Sequence, residues 1–417
     1  MEHENPALIT NDAVVFGLLM LILLVIFYTS SINTNFWKKF YTFVPAILLC
    51  YFIPSVLNST GIISGEHSNL YFVASRYLLP ACLVLLTLSV DLSEIMKLGK
   101  KALVMFLAGT TGIILGGPIA ILITSLFAPD IVGGAGPEAV WRGMTTVAGS
   151  WIGGSANQAA MFEVFEPSSS LFSSMIAVDV IVANVWMAFL LYGASRSKEI
   201  DAFFKADASS IEEVKNRVEK YRASIAKMPT LSDTMLVLGI GFGAMAISHI
   251  SADFISTFIQ QYAPGLEKFS LTKSFFWLVV IATAIGLSLS FTKLKKLEGV
   301  GASRLGTVMI YVLIATIGTH MDVTAIFDDP GLFVVGAIWM LVHISILLIV
   351  AKIIKAPFFF VAVGSQANVG GAASAPVVAS AFHPSLAPVG VLLAVLGYVV
   401  GTYGAYICAL MMQAVAP

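Results

Sequence analysis

Two stretches of the chain combine paired glycines with side-chain amides. Gly149 to Ala160 reads G-S-W-I-G-G-S-A-N-Q-A-A, and Gly364 to Ala375 reads G-S-Q-A-N-V-G-G-A-A-S-A, followed by Pro376. Glycine costs about 1 kcal/mol per position inside a helix and proline about 3. Gly149, Gly153 and Gly154, and likewise Gly364, Gly370 and Gly371, therefore favour local unwinding. Unwound backbone is tolerated within a bilayer only where protein or a water-filled cavity covers it. There the freed N–H and C=O groups act as ligands together with Ser155, Asn157, Gln158, Ser365, Gln366, Asn368 and Ser374. Half-helix N-termini attract anions, and free carbonyls suit Na⁺. The alternative is tight helix packing through small residues. Two such pairs, each beside an amide, favour the binding reading. Gly116-Gly117-Pro118 has no amide beside it and reads as a packing kink.

Asp179 lies in the apolar run A-V-D-V-I-V-A-N, with Asn184 closing the run. A carboxylate at bilayer depth is costly and marks a functional candidate, the alternative being a neutral or paired aspartate that holds helices together. The last apolar run offers only Tyr398, Thr402 and Tyr403 in its place, so the site is asymmetric. Arg142, near Thr145 and Thr146, either pairs a substrate carboxylate bidentately or snorkels to the interface beside Glu138. Asp91 and Asp322 read as caps or interface residues. His249, His320 and His343 lack metal-ligand spacing, and Cys50, Cys82 and Cys408 sit in apolar runs without the pattern of a disulfide or zinc framework. No P-loop, H-E-x-x-H or G-x-S-x-G motif supports an ATP-driven pump or an intramembrane enzyme, so the chain does not read as an enzyme.

The elements that must carry these residues follow from composition. Of 417 residues 58% are hydrophobic and 11% charged, with a net charge of −1; soluble domains hold roughly 25% charged residues. Soluble, disordered and nucleic-acid-binding classes are excluded, and an all-α polytopic membrane protein remains. Met1 to Asp12 has no positive n-region and does not read as a cleaved signal. Apolar runs long enough to span fall near 13–30, 41–57, 72–90, 102–127 and 170–193, then 233–256, 273–292, 302–319, 331–354 and 386–414. The two glycine-rich segments, 138–165 and 357–381, are apolar but abnormal. Between the sets, 196–231 is a long polar stretch with helical charge spacing over Ile211–Lys227, a solvated linker.

Basic residues accumulate on the cytoplasmic side. If both abnormal segments are re-entrant, the cytoplasmic loops hold Lys38 and Lys39, the Lys97–Lys101 cluster, the linker, Lys293–Arg304, and Lys352 with Lys355. Those clusters contain 19 of the 23 basic residues, leaving Arg76, Arg142, Lys268 and Lys273 outside. If every segment spans, the same clusters split 5 against 14. The re-entrant arrangement gives two inverted repeats, each of five transmembrane helices plus one Gly-rich re-entrant or broken helix. The first covers 1–195, the linker 196–231, and the second 232–417. The N-terminus lies outside and the linker in the cytoplasm. Two short matches accompany the repeat: V-D-L-S-E-I from Val90 and M-D-V-T-A-I from Met321, offset by 231, and the glycine pairs, offset by 217.

Opposed Gly-Gly segments in inverted halves resemble the glutamate:sodium and 2-hydroxycarboxylate symporters, and more broadly the clan of cation:proton antiporters and anion transporters. The whole chain is most similar to the bacterial "domain of unknown function 819" membrane family of that clan. The symporter motif is Gly-Gly-x-Gly, whereas here the pairs run Gly-Gly-Ser-Ala (to Ala156) and Gly-Gly-Ala-Ala (to Ala373). The resemblance implies a multi-pass protein of the bacterial inner membrane, and an Asp on the helix of Asp179 that serves a cation or proton. The function expected is secondary active transport of a small anionic or zwitterionic solute (an amino acid, short peptide or organic acid) coupled to Na⁺ or H⁺ by alternating access. The alternative is a monovalent cation/proton antiporter. The expected partners are the solute and the lipid bilayer, with a homodimer open, and no cofactor beyond Na⁺ or H⁺ as coupling ion. The topology predicts that a cysteine replacing Ser210 resists a membrane-impermeant thiol reagent in intact cells; external labelling there contradicts it.

Overall fold

The computed structural model describes residues 7–44, 46–65, 68–90, 95–96, 98–206, 211, 228–269, 271–321, 329–383 and 386–417. Among them the chain is helical, apart from an isolated β-bridge between Ile9 and Ile63. The helices are α1 (Asp12–Ser31), α2 (Asn35–Phe43), α3 (Ala46–Ser59), α4 (Leu70–Leu88), α5 (Lys100–Ser125), α6 (Val140–Gly153), α7 (Ser155–Phe165), α8 (Ser169–Ser195) and α9 (Ser197–Phe204). They continue as α10 (Leu231–Tyr262), α11 (Ser274–Ser290), α12 (Ala302–Gly318), α13 (Gly331–Ile354), α14 (Phe358–Val369), α15 (Gly371–Phe382) and α16 (Ala387–Val415). Asp91, Asp322, the V-D-L-S-E-I and M-D-V-T-A-I matches (save Val90, Ile95 and Met321) and the linker helix (save Ile211) lie outside the described residues.

Seven of these helices are long and apolar enough to cross a membrane, or up to nine if two bent pairs each count as one span. The expected spans 41–57, 273–292 and 302–319 are shorter helices, α3, α11 and α12. In the first case Val44 is extended because Pro45 disfavours a helical residue before it. The chain there bends by 78° between the aromatic, lysine-bearing α2 and α3. Pro80, lacking an N–H, accompanies a π turn at Ala74–Leu78 in α4. The Arg76 carbonyl accepts a hydrogen bond from His249 Nε2 at 2.8 Å instead.

The helices pack as two groups. One contains α1, α3, α4, α10, α11 and α12; the other contains α5 to α8 and α13 to α16. The third expected span of each half, α4 and α12, belongs to the first group rather than joining the glycine-rich segments. Helix α1 shows why the first group faces lipid. Its buried residues form one stripe, Val15, Leu19, Leu23 and Ile26, while Leu21, Leu24 and Val25 are exposed. Within the second group, glycines set the distances. A Cβ on Gly116 would lie 2.5 Å from Trp339 Cδ1, so α5 and α13 touch almost backbone to side chain, as the packing reading of Gly116-Gly117-Pro118 expected.

Both glycine-rich segments are helical hairpins. In the first, the Arg142 guanidinium donates to the Phe165 carbonyl at 2.5 Å and Ser168 N–H to the Pro137 carbonyl at 2.9 Å, so the start of α6 lies beside the end of α7. In the second, the Phe359 and Phe382 rings stack edge to face at 5.3 Å, joining the start of α14 to the end of α15. The bases lie at opposite ends of the molecule. The first base follows the C-terminal end of α5 by a short connection. The second adjoins the N-terminal end of α5, where Lys101 Nζ donates to the Lys355 carbonyl at 3.0 Å. Asp201 on α9 caps α14 by accepting the Phe358 N–H at 2.7 Å. Burial raises the Asp201 carboxyl pKa, and that N–H bond opposes the rise.

Helix α16 approaches the first hairpin closely. A Cβ on Gly401 would fall 2.6 Å from both Gly153 Cα and Asn157 Nδ2, whereas one on Gly239 of α10 meets nothing within 4 Å. Gly401→Ala therefore destabilises the protein by about 1–3 kcal/mol. Gly239→Ala leaves stability unchanged or raises it by up to about 1 kcal/mol. Melting temperatures of the two purified variants check this contrast.

Candidate functional site

The two glycine breaks meet in the interior. Gly154 has φ +75° and Gly371 φ +57°, left-handed values that favour glycine and end one helix before the next begins. A Cβ on Gly371 would lie 4.0 Å from Gly154 Cα. Gly397 of α16 fits against both tips, since its Cβ would stand 2.7 Å from the Ile152 carbonyl and 3.6 Å from that of Ala367. A Cβ on Gly370 would displace Ser374 Oγ and Gln366 Nε2, which are hydrogen bonded to each other at 2.8 Å.

Beside the tips is a cavity of about 490 Å³ on the seam between the two helix groups. Of the residues expected at a site, Ser155, Gln158, Gln366, Ser374, Asp179 and Asn184 line it, with Gly154, Gly370 and Gly371. The opposite wall comes from the first group: Phe27 of α1, Tyr51 of α3, Leu86 of α4, and Thr307 and Tyr311 of α12. Asp179 is ten residues into α8, about 15 Å along its axis, and is only 6% exposed. Gln158 Nε2 donates to its Oδ2 at 2.8 Å, and Tyr51 Oη donates to Gln158 Oε1 at 3.2 Å. A chain of hydrogen bonds thus runs from the first group through the first hairpin to the carboxylate. Gln366 Oε1 is a buried acceptor with no hydrogen-bond partner. Asn184 is turned partly inward on its own helix, its Nδ2 donating to the Val180 carbonyl at 2.7 Å.

The other expected residues lie away from the cavity. Asn157 and Asn368 staple the hairpins, in chemically matching ways. Asn157 Nδ2 donates to the Gly153 carbonyl (3.0 Å) and Oδ1 accepts from Thr402 Oγ1 (2.6 Å). Asn368 Nδ2 donates to the Gly364 and Phe106 carbonyls (2.9 and 3.0 Å) and Oδ1 accepts from Thr110 Oγ1 (2.7 Å). Ser365 joins a fully buried network: Trp186 Nε1 donates to its Oγ at 2.8 Å, and His343 Nε2 lies 2.8 Å from the same atom. His343 Nδ1 is 3.0 Å from the Gly109 carbonyl, which can only accept, so that nitrogen carries the proton and Ser365 can donate to Nε2. Arg142 is at the first hairpin's base, over the Trp141 ring at 5.0 Å and bonded to Phe165, and it does not reach the cavity. Gly149, Gly153 and Gly364 serve packing; a Cβ on Gly149 would meet the Asn157 carbonyl at 2.6 Å.

Tyr398, named as a polar residue of the last span, lines the cavity, whereas sequence reasoning did not find Tyr51 or Tyr311, because nothing local marks which aromatic faces a space made by distant helices. Nor did it find Glu163. That residue pairs with Arg76 at 2.6 Å and accepts a hydrogen bond from Tyr71, while Lys273 pairs with Glu166 at 2.7 Å. Those bonds tie α7 to the first helix group at the end opposite the Lys101–Lys355 contact. No group of three or more histidine, cysteine, aspartate or glutamate residues that could hold a metal occurs among the described residues.

Comparison with known proteins agrees with this membrane architecture. The chain is 25% identical over 362 residues to the uncharacterized membrane protein YjcL of Bacillus subtilis (strain 168), a match that covers 84% of this chain and 85% of the relative. Residues 17–415 match the family described as protein of unknown function DUF819. The chain, a multi-pass membrane protein, belongs to the DUF819 family.

Proposed function

We propose that this protein is a secondary transporter in which the two helix groups move against each other to expose one central site alternately to the two sides of the membrane. The observation that carries this reading is the position of the cavity on the seam between the groups, with both hairpin tips at its inner end. Its walls come from the late turns of α1 and α4, the middle turns of α8 and the early turns of α3 and α12. The space thus extends from the tips towards one end only. At the other end the Arg76–Glu163 and Lys273–Glu166 pairs hold the groups together. A single site, open on one side and latched on the other, is what alternating access requires.

In this reading the hairpins are re-entrant and the halves form an inverted repeat, supported by two hairpins of like construction whose bases adjoin opposite ends of α5. The clustered lysines then place the open end in the cytoplasm. A space of about 490 Å³ lined by aromatic rings favours a small organic solute over a bare cation exchanged for protons. Asp179 is the group that takes up the coupling cation, Na⁺ or H⁺, because it is the carboxylate at the tips and Gln158 holds it in place.

Proteoliposomes given a labelled mixture of small bacterial metabolites and an imposed cation gradient test this. At one-to-one coupling, a tenfold gradient drives about tenfold accumulation of the transported solute. Asp179→Asn should bring accumulation down to simple equilibration. Gradient-driven accumulation by well-folded Asp179→Asn removes Asp179 from coupling.

A further inference from the structure

We infer that the solute carries a protonated amine on an apolar body. This rests on reading the seam cavity as the solute site, and it departs from the anionic or zwitterionic solute that the sequence suggests.

The charge of the lining decides the question. Among the described residues that line the cavity, Asp179 is the only one with a charged side chain, and no lysine, arginine or histidine is present. Arg142, the residue best suited to hold a carboxylate, is engaged at Phe165 and Trp141. Apart from the partial positive charge of the α7 and α15 N-termini, nothing in the described lining offsets Asp179, so an anionic solute would meet a full like charge in a low-dielectric space, where repulsion is far stronger than in water. A cationic solute neutralises it. Gln158 donates to the carboxylate and the Ser150 and Trp151 side chains also face it, so of the about four hydrogen bonds it can accept, at least one direction remains. An ammonium group can take what remains.

A second observation points the same way independently. Gln366, 2% exposed, commits its amide N–H to Ser374, which leaves Oε1 without a donor in the wall of the same cavity. A buried acceptor without a partner is costly, and it is satisfied by a ligand that brings N–H groups. The rest of the lining suits the body of such a ligand. Phe27, Tyr51, Tyr311 and Tyr398 present aromatic rings, whose faces attract cations and whose area packs against apolar groups. A carboxylate that holds either the ammonium or a proton makes the two compete. Coupling at Asp179 is then exchange of the amine for a proton.

Three probes sharing a phenylethyl body test the inference on the purified full-length protein: phenethylamine, 2-phenylethanol and 3-phenylpropanoate, read by equilibrium binding and by the shift in melting temperature. Phenethylamine should bind at least about tenfold more tightly than the alcohol, and the acid should not bind measurably. Asp179→Asn should cost phenethylamine about tenfold or more, and Gln366→Met about two- to tenfold. The wild-type comparison needs no variant to fold. Failure of phenethylamine to bind, equal binding of the alcohol, or preferred binding of the acid overturns the assignment. Flux through proteoliposomes separates the two claims. Amine binding without flux keeps the amine site and defeats the transporter reading, whereas flux of 3-phenylpropanoate without amine binding keeps the transporter and defeats the amine.

Discussion

Two glycine pairs meeting tip to tip inside a helical membrane protein set the terms for everything around them. Each pair interrupts a helix, and each interruption exposes backbone polar groups that lipid cannot satisfy. The surrounding structure answers in kind. Gly397 and Gly401 of α16 bring its backbone against the breaks, and no residue with a side chain fits there. Asn157 and Asn368 turn back onto carbonyls one helical turn earlier and are held by threonines from other helices. The amides thus hold the breaks in shape, and the space left beside them becomes the cavity.

The same constraint divides the molecule. Helices that support the breaks pack closely through glycine, tryptophan and buried hydrogen bonds, of which the Trp186–Ser365–His343–Gly109 chain is the most extended. Helices of the first group meet them along a seam formed by α7 and α16 against α4, α11 and α12. The seam holds the cavity, the Tyr51–Gln158–Asp179 relay and, at one end, two ion pairs. Glu163 is largely buried there while Arg76 is about one-third exposed. Such a pair keeps its guanidinium partly hydrated, so it carries less desolvation cost than a fully buried one.

Much of this was legible in the sequence for a simple reason: glycine pairs, proline and intramembrane charge are costly, so they stand out. The breaks at Gly153-Gly154 and Gly370-Gly371 and the depth of Asp179 follow from local cost alone. What was not legible depends on which way a residue faces. Ser365 and Gln366 are neighbours, yet helical rotation puts one in a buried network and the other in the cavity wall. Asn157 and Gln158 divide in the same way. Arg142 reads as a candidate anion clamp until the Phe165 carbonyl is found beside it, a contact that only the hairpin brings about. The tyrosines and Glu163 depend on pairings between helices more than 80 residues apart in the chain, as in Tyr51–Gln158 and Arg76–Glu163, and no local pattern encodes such pairings.

The central claim is that the two helix groups separate at the latched end. Spin labels at Glu138→Cys and Glu267→Cys, both exposed and one beside each group at that end, report the separation directly, because the native Cys50, Cys82 and Cys408 are buried and resist labelling. Electron–electron distance measurements in lipid bilayers should give two populations, with the longer one gaining weight when Glu163→Gln removes one of the two latching pairs. A single narrow distance, the same with and without Glu163→Gln, would contradict the account.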